Sequence, residues 1–240
     1  MRTVDFTRIV RKAWEAYDGD TQITMVTDFS PHVSTNYVFK VDLENGETVF
    51  AKLSYYGKFE HFLEDQSIIN NLARELPPPY ENFLARSLTD ENDALFIYRL
   101  QEGLLDAWLV FYYPIPINKK LPRRLKEHHI RKLGGELAKF HKACDTVNDR
   151  LPPSSKTLQS DIHDLLGRLE TDRGQFEYRG HIDLIRSQCH TFLENLDQLG
   201  YEDFSTIPIF LDWNIGNFSV TEDTEFYSRW DYDWFRICSR

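Results

Sequence analysis

The sequence predicts an α+β protein in two parts, with a β-rich N-terminal half and a mainly helical C-terminal half. Three observations predict it. Strand-like runs cluster before residue 113, helical periodicity dominates after residue 122, and a proline-punctuated stretch over residues 114–122 separates the two. We therefore expect one part over residues 1–113 and a second over residues 114–240.

The N-terminal half alternates helical and strand signals. Helical spacing of apolar residues predicts helices over residues 5–17 and 60–75, and the prolines at 77–79 end the second helix. The Asn45-Gly46 pair is a strong hairpin signal between two of the β-rich runs. The runs expected to form strands are residues 23–28, 37–41, 48–53, 94–98 and 107–112.

The C-terminal half reads as helices followed by a short β insert. Periodicity predicts helices over residues 124–143, 158–169 and 182–199. A strand-turn-strand segment over residues 210–220 closes the chain together with a second hydrophobic run.

Composition limits the kinds of partner. The chain has 240 residues, 41% hydrophobic and 28% charged, with a net charge of −10, as in an ordinary globular protein. Clustered Lys and Arg are needed for phosphate contacts, so this charge argues against binding to nucleic acid. The same charge would suit a cationic small molecule.

Cysteine usage and hydropathy indicate a cytoplasmic protein without a membrane partner. The cysteines Cys144, Cys189 and Cys238 are odd in number and widely spaced, which favours free thiols in a reducing compartment. The N-terminal residues lack the apolar stretch of a signal peptide. No run approaches the ~18 apolar residues that a membrane span needs.

The most informative segment lies near the C-terminus and contains Asp212, Asn217 and Asp231. Phosphoryl transfer needs these groups, because one carboxylate orients the attacking hydroxyl while an amide oxygen and a second carboxylate hold Mg²⁺ against the nucleotide phosphates. The alternative is a polar turn between strands, for which Asp, Asn and Gly are also common.

This segment resembles the catalytic half of the aminoglycoside phosphotransferase and choline kinase-like family, whose loop commonly reads His-Gly-Asp-Leu-His-Pro-Gly-Asn. Asp212, Gly216 and Asn217 match that pattern. Phe210 and Asn214 depart from it, because each stands where the family commonly has a His. The resemblance implies a two-lobed protein-kinase-like fold, with Asp212 as catalytic base and Asn217 and Asp231 as metal ligands.

In the same family a lysine on a strand of the N-terminal lobe reaches the nucleotide phosphates. Lys52 occupies that place, in an apolar run where an unpaired Lys is uncommon. Glu64 is the preferred carboxylate partner on the following helix, with Glu60 and Asp65 as alternatives. An exposed strand lysine and exposed helix acids are the competing interpretation.

Two further parts of a nucleotide site have candidates. Ser34, Thr35 and Asn36 resemble the end of the family's phosphate-binding loop, although this stretch has no glycine. The adenine is expected against the end of the 107–112 strand, where Tyr112 and Tyr113 would line the pocket.

Family members usually continue past the metal-binding Asp with helices that complete the acceptor site, whereas this sequence stops at Arg240. Acceptor recognition would then come from the helices over residues 152–199 or from chain absent here. The aromatic residues near the end are expected to form a surface that needs a cover. They are Trp230, Tyr232, Trp234 and Phe235.

The resemblance implies an ATP- and Mg²⁺-dependent phosphotransferase acting on a hydroxyl of a small molecule. A kinase-like binding or regulatory protein without chemistry is the main alternative, favoured by Phe210 and the glycine-free loop. A different ATP-dependent transfer on the same fold is a third, because a fold does not fix a reaction.

Overall fold

A computed structural model describes residues 4–30 and 36–239. In this range the strands are β1 Ile23–Asp28, β2 Asn36–Leu43, β3 Thr48–Ser54, β4 Ile97–Glu102, β5 Leu105–Tyr112, β6 Thr206–Phe210, β7 Phe218–Val220, β8 Phe226–Arg229 and β9 Phe235–Ser239. The helices are α1 Phe6–Tyr17, α2 Phe59–Glu75, α3 Glu127–Val147, α4 Leu158–Leu169, α5 Asp172–Glu177 and α6 Ile182–Gln198. Two single-turn 3₁₀ helices cover Asn148–Arg150 and Tyr201–Asp203.

An antiparallel sheet dominates the N-terminal half, with the order β1-β2-β3-β5-β4. The β2–β3 hairpin turns at Gly46, whose φ of 84° needs a residue without a Cβ. The helix α1 begins where the Asp5 side chain accepts a hydrogen bond from the Arg8 amide, and it packs its apolar stripe on one face of the sheet. The helix α2 belongs to a second apolar cluster, with Val110 and Tyr112 of β5.

The expected α+β class is confirmed. Two predicted elements differ by three residues or more at both ends, and one helix was not predicted. The strand predicted over residues 94–98 lies at 97–102, because Asp90 Oδ1 accepts from the amides of Asn92 and Ala94 and closes a turn there. The helix α3 begins three residues later than predicted and ends four residues later. The short α5 was not predicted, since six residues carry too little periodicity.

Two small sheets join the C-terminal helices to the end of the chain, with β6 pairing β9 and β7 pairing β8. Their buried side chains share one core with α2, α3 and the sheet. That core crosses the expected boundary near residue 113, and the division at this position stays a prediction.

Of the four aromatic residues expected to form an open surface, two are buried, which corrects that expectation. Tyr232 and Phe235 are buried, and both rings pack against the ring of Phe210. Trp230 is half-buried, and only Trp234 is strongly exposed.

No helix within the described part of the chain is long and apolar enough to cross a membrane. The three cysteines are free thiols.

Candidate active site

Two loops lie side by side because their flanking strands pair. The first loop, residues 211–217, connects β6 to β7, and the second loop, residues 230–234, connects β8 to β9. The pairs β6–β9 and β7–β8 therefore close both ends of the loops. At one end the Leu211 amide donates to the carbonyl of Trp234 at 3.2 Å. The pairing of short strands thus brings sequence-distant polar residues together.

Asp212 and Asn217 are joined within the first loop. The Asn217 Nδ2 donates to Asp212 Oδ2 at 3.0 Å, and Asp212 Oδ1 accepts from the Asn214 amide at 2.9 Å. The Asn217 carbonyl accepts from the Trp230 amide at 3.2 Å, which ties the first loop to the second. The Asn217 side-chain nitrogen donates to Asp212. The side-chain oxygen of Asn217 is of the acceptor type that can bind a donor or a cation.

Lys52 reaches the second loop from the sheet. Alternation along β3 turns Ala51 and Leu53 into the cluster beneath α1, so Lys52 projects from the opposite face. Its ammonium donates to Asp233 Oδ1 at 2.5 Å and to Asp231 Oδ1 at 3.2 Å. Lys52 is only 6% exposed. Burial alone lowers the pKa of this ammonium, but the two carboxylates outweigh burial and raise the pKa above its ordinary value.

Asn36 also reaches the second loop. Its Nδ2 donates to Asp233 Oδ1 at 2.6 Å, so the start of β2 lies beside the Lys52 ion pair. Asp233 was not among the predicted residues, although its position two residues after Asp231 could have indicated it. Ser34 and Thr35 lie outside the described residues.

The expected pair between Lys52 and Glu64 is not formed, which corrects that prediction. Glu64 instead accepts from Ser154 Oγ at 2.6 Å, the Ser155 amide at 2.9 Å and Ser155 Oγ at 2.5 Å. Burial opposes ionisation of Glu64, but these bonds prevail and lower its pKa.

The two alternative partners are also engaged elsewhere or exposed. Asp65 pairs with Lys156, and Glu60 is exposed at the start of α2. Glu64 and Asp65 therefore point toward residues 154–156 rather than toward Lys52.

The two candidate adenine-pocket residues differ in their surroundings. Tyr112 is buried and its phenol donates to Gln66 Oε1, because α2 covers that face of β5. Only Tyr113 presents its side chain to a cavity, which has a volume of about 1030 Å³. Neither Lys52 nor Asp231 is among the described residues that line this cavity.

Arg229 lies beneath the first loop and was not predicted from the sequence. It is fully buried, and its Nη2 donates to the Asp212 carbonyl at 2.7 Å. Its guanidinium carbon lies 4.7 Å from the ring centroids of both Phe210 and Trp213. An arginine in a strand of mixed polarity gives no sequence signal for such a position.

Comparison with solved structures identifies the fold. An amicoumacin kinase in complex with AMP-PNP, Ca²⁺ and Ami aligns over 98% of this chain and 66% of its own, with 15% identity and a TM-score of 0.61. The ternary complex of APH(2″)-IIa with streptomycin and ATP aligns over 100% of this chain and 74% of its own, with 13% identity and a TM-score of 0.56.

The chain has the fold of the small-molecule kinases. A third example is a microcompartment-associated aminopropanol kinase, which aligns over 98% of this chain and 71% of its own, with 13% identity and a TM-score of 0.53. No family model matches the sequence, and no curated protein matches it either. The expected resemblance is thus confirmed for the fold. The chain spans about two thirds of the length of the amicoumacin kinase.

The donor set of this kinase-like fold suits a hard cation rather than a closed transition-metal site. Among the described residues, no group of three or more His, Cys, Asp or Glu side chains could hold a metal ion by itself. The oxygens of Asn217 and Asp231 are instead the ligand types that Mg²⁺ takes when nucleotide phosphates and waters complete its shell. These residues fit that ion.

Proposed function

We propose that the protein is an ATP- and Mg²⁺-dependent phosphotransferase that acts on a hydroxyl of a small molecule. The observation that supports it is the meeting of Lys52 from β3 with Asp231 from the second loop, at 3.2 Å, next to a loop that carries Asp212 and Asn217. A cation for phosphates, a carboxylate for the acceptor and oxygen ligands for a metal are the parts of a phosphoryl-transfer site.

Asp212 is the proposed base. As the acceptor oxygen bonds to the γ-phosphorus and the bond to the bridging oxygen of ADP breaks, the acceptor proton passes to an Asp212 oxygen. The hydrogen bonds from Asn214 and Asn217 hold this carboxylate in one orientation. In a reaction that depends mainly on positioning, this orientation contributes more to the rate than the basicity of the carboxylate does.

Asn217 and Asp231 are the proposed metal-holding residues, and bound Mg²⁺ would supply charge neutralisation at the β- and γ-phosphates. Asp233 and Asp231 both form ion pairs with the Lys52 ammonium, and these pairs keep Lys52 in this cleft. Lys52 is proposed to exchange part of this ion pair for phosphate oxygens when the nucleotide binds. Asn36 lies beside it and is proposed to contact the phosphates together with Ser34 and Thr35.

The acceptor is proposed to be a small molecule carrying a hydroxyl and a cationic group. The net charge of −10 favours a cationic ligand. Structural neighbours named for aminopropanol and ethanolamine, and one bound to streptomycin, make amino alcohols and aminoglycosides the first compounds to screen.

A kinase-like binding protein without turnover is the second candidate. The observation that favours it is Phe210, a ring at the place where the family commonly has a His, packed against Phe140 and Phe235 in the core. Such a protein would bind Mg·ATP and transfer nothing.

The test has two stages. The shift in melting temperature with ATP, measured with and without Mg²⁺, decides whether the chain binds the metal–nucleotide complex. ADP release in the presence of the amino alcohol and aminoglycoside panel then separates a kinase from a binding protein. Absence of any ATP-dependent shift would refute both.

The role of Asp212 has its own prediction. Asp212→Asn preserves an acceptor oxygen for the Asn214 amide but removes the base, so turnover should fall by roughly 10²- to 10⁴-fold. ATP affinity should stay within about twofold, because the base acts mainly in the transition state. Steady-state kinetics with the best acceptor measures both. Weaker ATP binding with normal turnover would contradict the assignment.

A further inference from the structure

Arg229 is a buried cation that interacts electrostatically with Asp212, Asp231 and Asp233 of the two loops but forms no direct ion pair with a described carboxylate. It is 0% exposed, and within residues 4–30 and 36–239 no carboxylate forms an ion pair with it. Its Nε and Nη1 atoms are buried without a hydrogen-bond partner in that range. A costly group of this kind calls for a specific role.

The contacts of its head group all belong to one place, the base of the first loop. Nη2 donates to the Asp212 carbonyl at 2.7 Å. The guanidinium carbon lies 4.7 Å from the rings of Phe210 and Trp213, the residues two before and one after Asp212. The guanidinium contacts both rings, so cation–π attraction holds it as well as the hydrogen bond.

The backbone of Arg229 is itself anchored, so the head group extends from a rigid point. The Arg229 amide donates to the Phe83 carbonyl at 2.6 Å. Its carbonyl accepts from the Ala85 amide at 3.1 Å and from the Tyr232 hydroxyl at 2.9 Å. These bonds connect β8 to the segment that follows α2 and to the second loop.

We propose that Arg229 is a positioning residue that fixes the main chain at Asp212 and thereby aims the Asp212 carboxylate. The inference rests on the proposed function for its catalytic consequence, whereas its structural part holds independently of turnover.

The test compares Arg229→Met with Phe226→Leu. The first keeps an apolar chain and removes the donor. The second removes a buried ring that stacks on Trp213 at 5.0 Å, and so weakens the same cluster without touching Asp212. Hydrogen exchange of residues 211–217, followed by mass spectrometry, reports on the loop, and residues 36–54 report on the overall fold.

In Arg229→Met the loop should exchange at least about tenfold faster than in the wild type, while residues 36–54 stay protected. In Phe226→Leu loop exchange should stay within about threefold. Turnover of Mg·ATP with acceptor, or of Mg·ATP alone, should fall about 10- to 100-fold in Arg229→Met with the KM for ATP within about twofold, because a misplaced base costs rate rather than binding.

Unchanged loop exchange in Arg229→Met, or an equal rise in Phe226→Leu, would overturn the proposal. If Arg229→Met loses protection at residues 36–54, Arg229→Gln, whose side chain is polar but shorter, is measured in its place. Faster loop exchange with residues 36–54 still protected supports the positioning role, and unchanged loop exchange refutes it. A wild type that neither binds nor hydrolyses Mg·ATP refutes the proposed function, while the exchange comparison still decides the role of Arg229.

Discussion

At the scale of single residues, the site is a set of oppositely charged groups held close in a poorly solvated place. Lys52 faces Asp231 and Asp233 with its side chain almost wholly buried. Removing one of these groups leaves buried charges without a full set of opposite charges. This lowers the stability of the fold more than losing a surface ion pair does. Substitutions in the site therefore need controls that separate ligand binding from folding.

Asp231 carries the first prediction. With Mg²⁺ present and ATP at 100 times its Kd, wild type should gain about 2.7 kcal/mol, or roughly 5–10 °C in melting temperature. Asp231→Ala should lose the Mg²⁺-dependent part of that gain, because one oxygen ligand is gone. Asp223→Ala, an exposed acid in the β7–β8 turn, is the control and should respond as wild type does. An identical response of both variants would contradict the metal assignment.

The second prediction concerns Lys52. Lys52→Ala should weaken Mg·ATP binding by about tenfold or more, since a charge-assisted contact to phosphate contributes about 1.5–3 kcal/mol. Lys58→Ala removes a lysine of the following turn whose exposed pair with Asp164 contributes little, and should bind ATP normally. Isothermal titration calorimetry measures both. An equal loss of ATP affinity in Lys52→Ala and Lys58→Ala would mean that the net charge of the protein, and not a contact of Lys52 with phosphate, governs binding.

The contacts of these residues differ in how far the sequence predicts them, because some are local and others depend on tertiary structure. Asp212 and Asn217 are five residues apart, so local loop geometry alone can join them. The partner of Lys52 depends on tertiary structure, and Asp231 and Asp233 took the place expected for Glu64. The contact between Arg229 and Asp212 was not predicted, because it depends on the strand pairing that places Arg229 under Asp212.

At the scale of elements, α2 is held by polar bonds to the segment that precedes α4. Glu64 accepts three hydrogen bonds from Ser154 and Ser155, and Asp65 pairs with Lys156. Periodicity correctly predicts this helix and its apolar face, but not the rotation that decides where its acids point. A turn of one residue around the axis moves a side chain by about 100°.

Glu64 gives a prediction in pH. Its folded pKa lies below the ordinary value of 4.5, so its ionised form stabilises the fold above about pH 4.5, and that contribution is lost as the pH falls through the lowered value. Glu64→Gln should therefore reduce the free energy of unfolding at pH 7 and have a shrinking effect below pH 4.5. Urea denaturation across pH 3–7 measures the difference. An effect of the substitution that grows toward low pH would contradict the sign.

At the scale of the whole molecule, the two halves share one core. Ile68 and Leu72 of α2 belong to the same buried cluster as Val110 of the sheet and as Phe140 and Phe210 of the C-terminal half. A shared core of this kind predicts cooperative unfolding, because neither half can expose its surface without uncovering the other. This coupling also positions Lys52, carried by the sheet, against loops carried by the C-terminal half.

Leu72 tests that coupling. It is fully buried, so Leu72→Ala should lower the free energy of unfolding by about 2–5 kcal/mol through lost contacts and a cavity. Slowly exchanging amides of α1 and of α3 should lose protection by the same factor, and calorimetry should show one transition with equal calorimetric and van't Hoff enthalpies. Leu104→Ala, in a fully exposed turn, should change neither. Loss of protection in α1 alone, with a second transition at the wild-type temperature, would mean that the halves unfold separately, and the cleft between Lys52 and the two loops would then open without global unfolding.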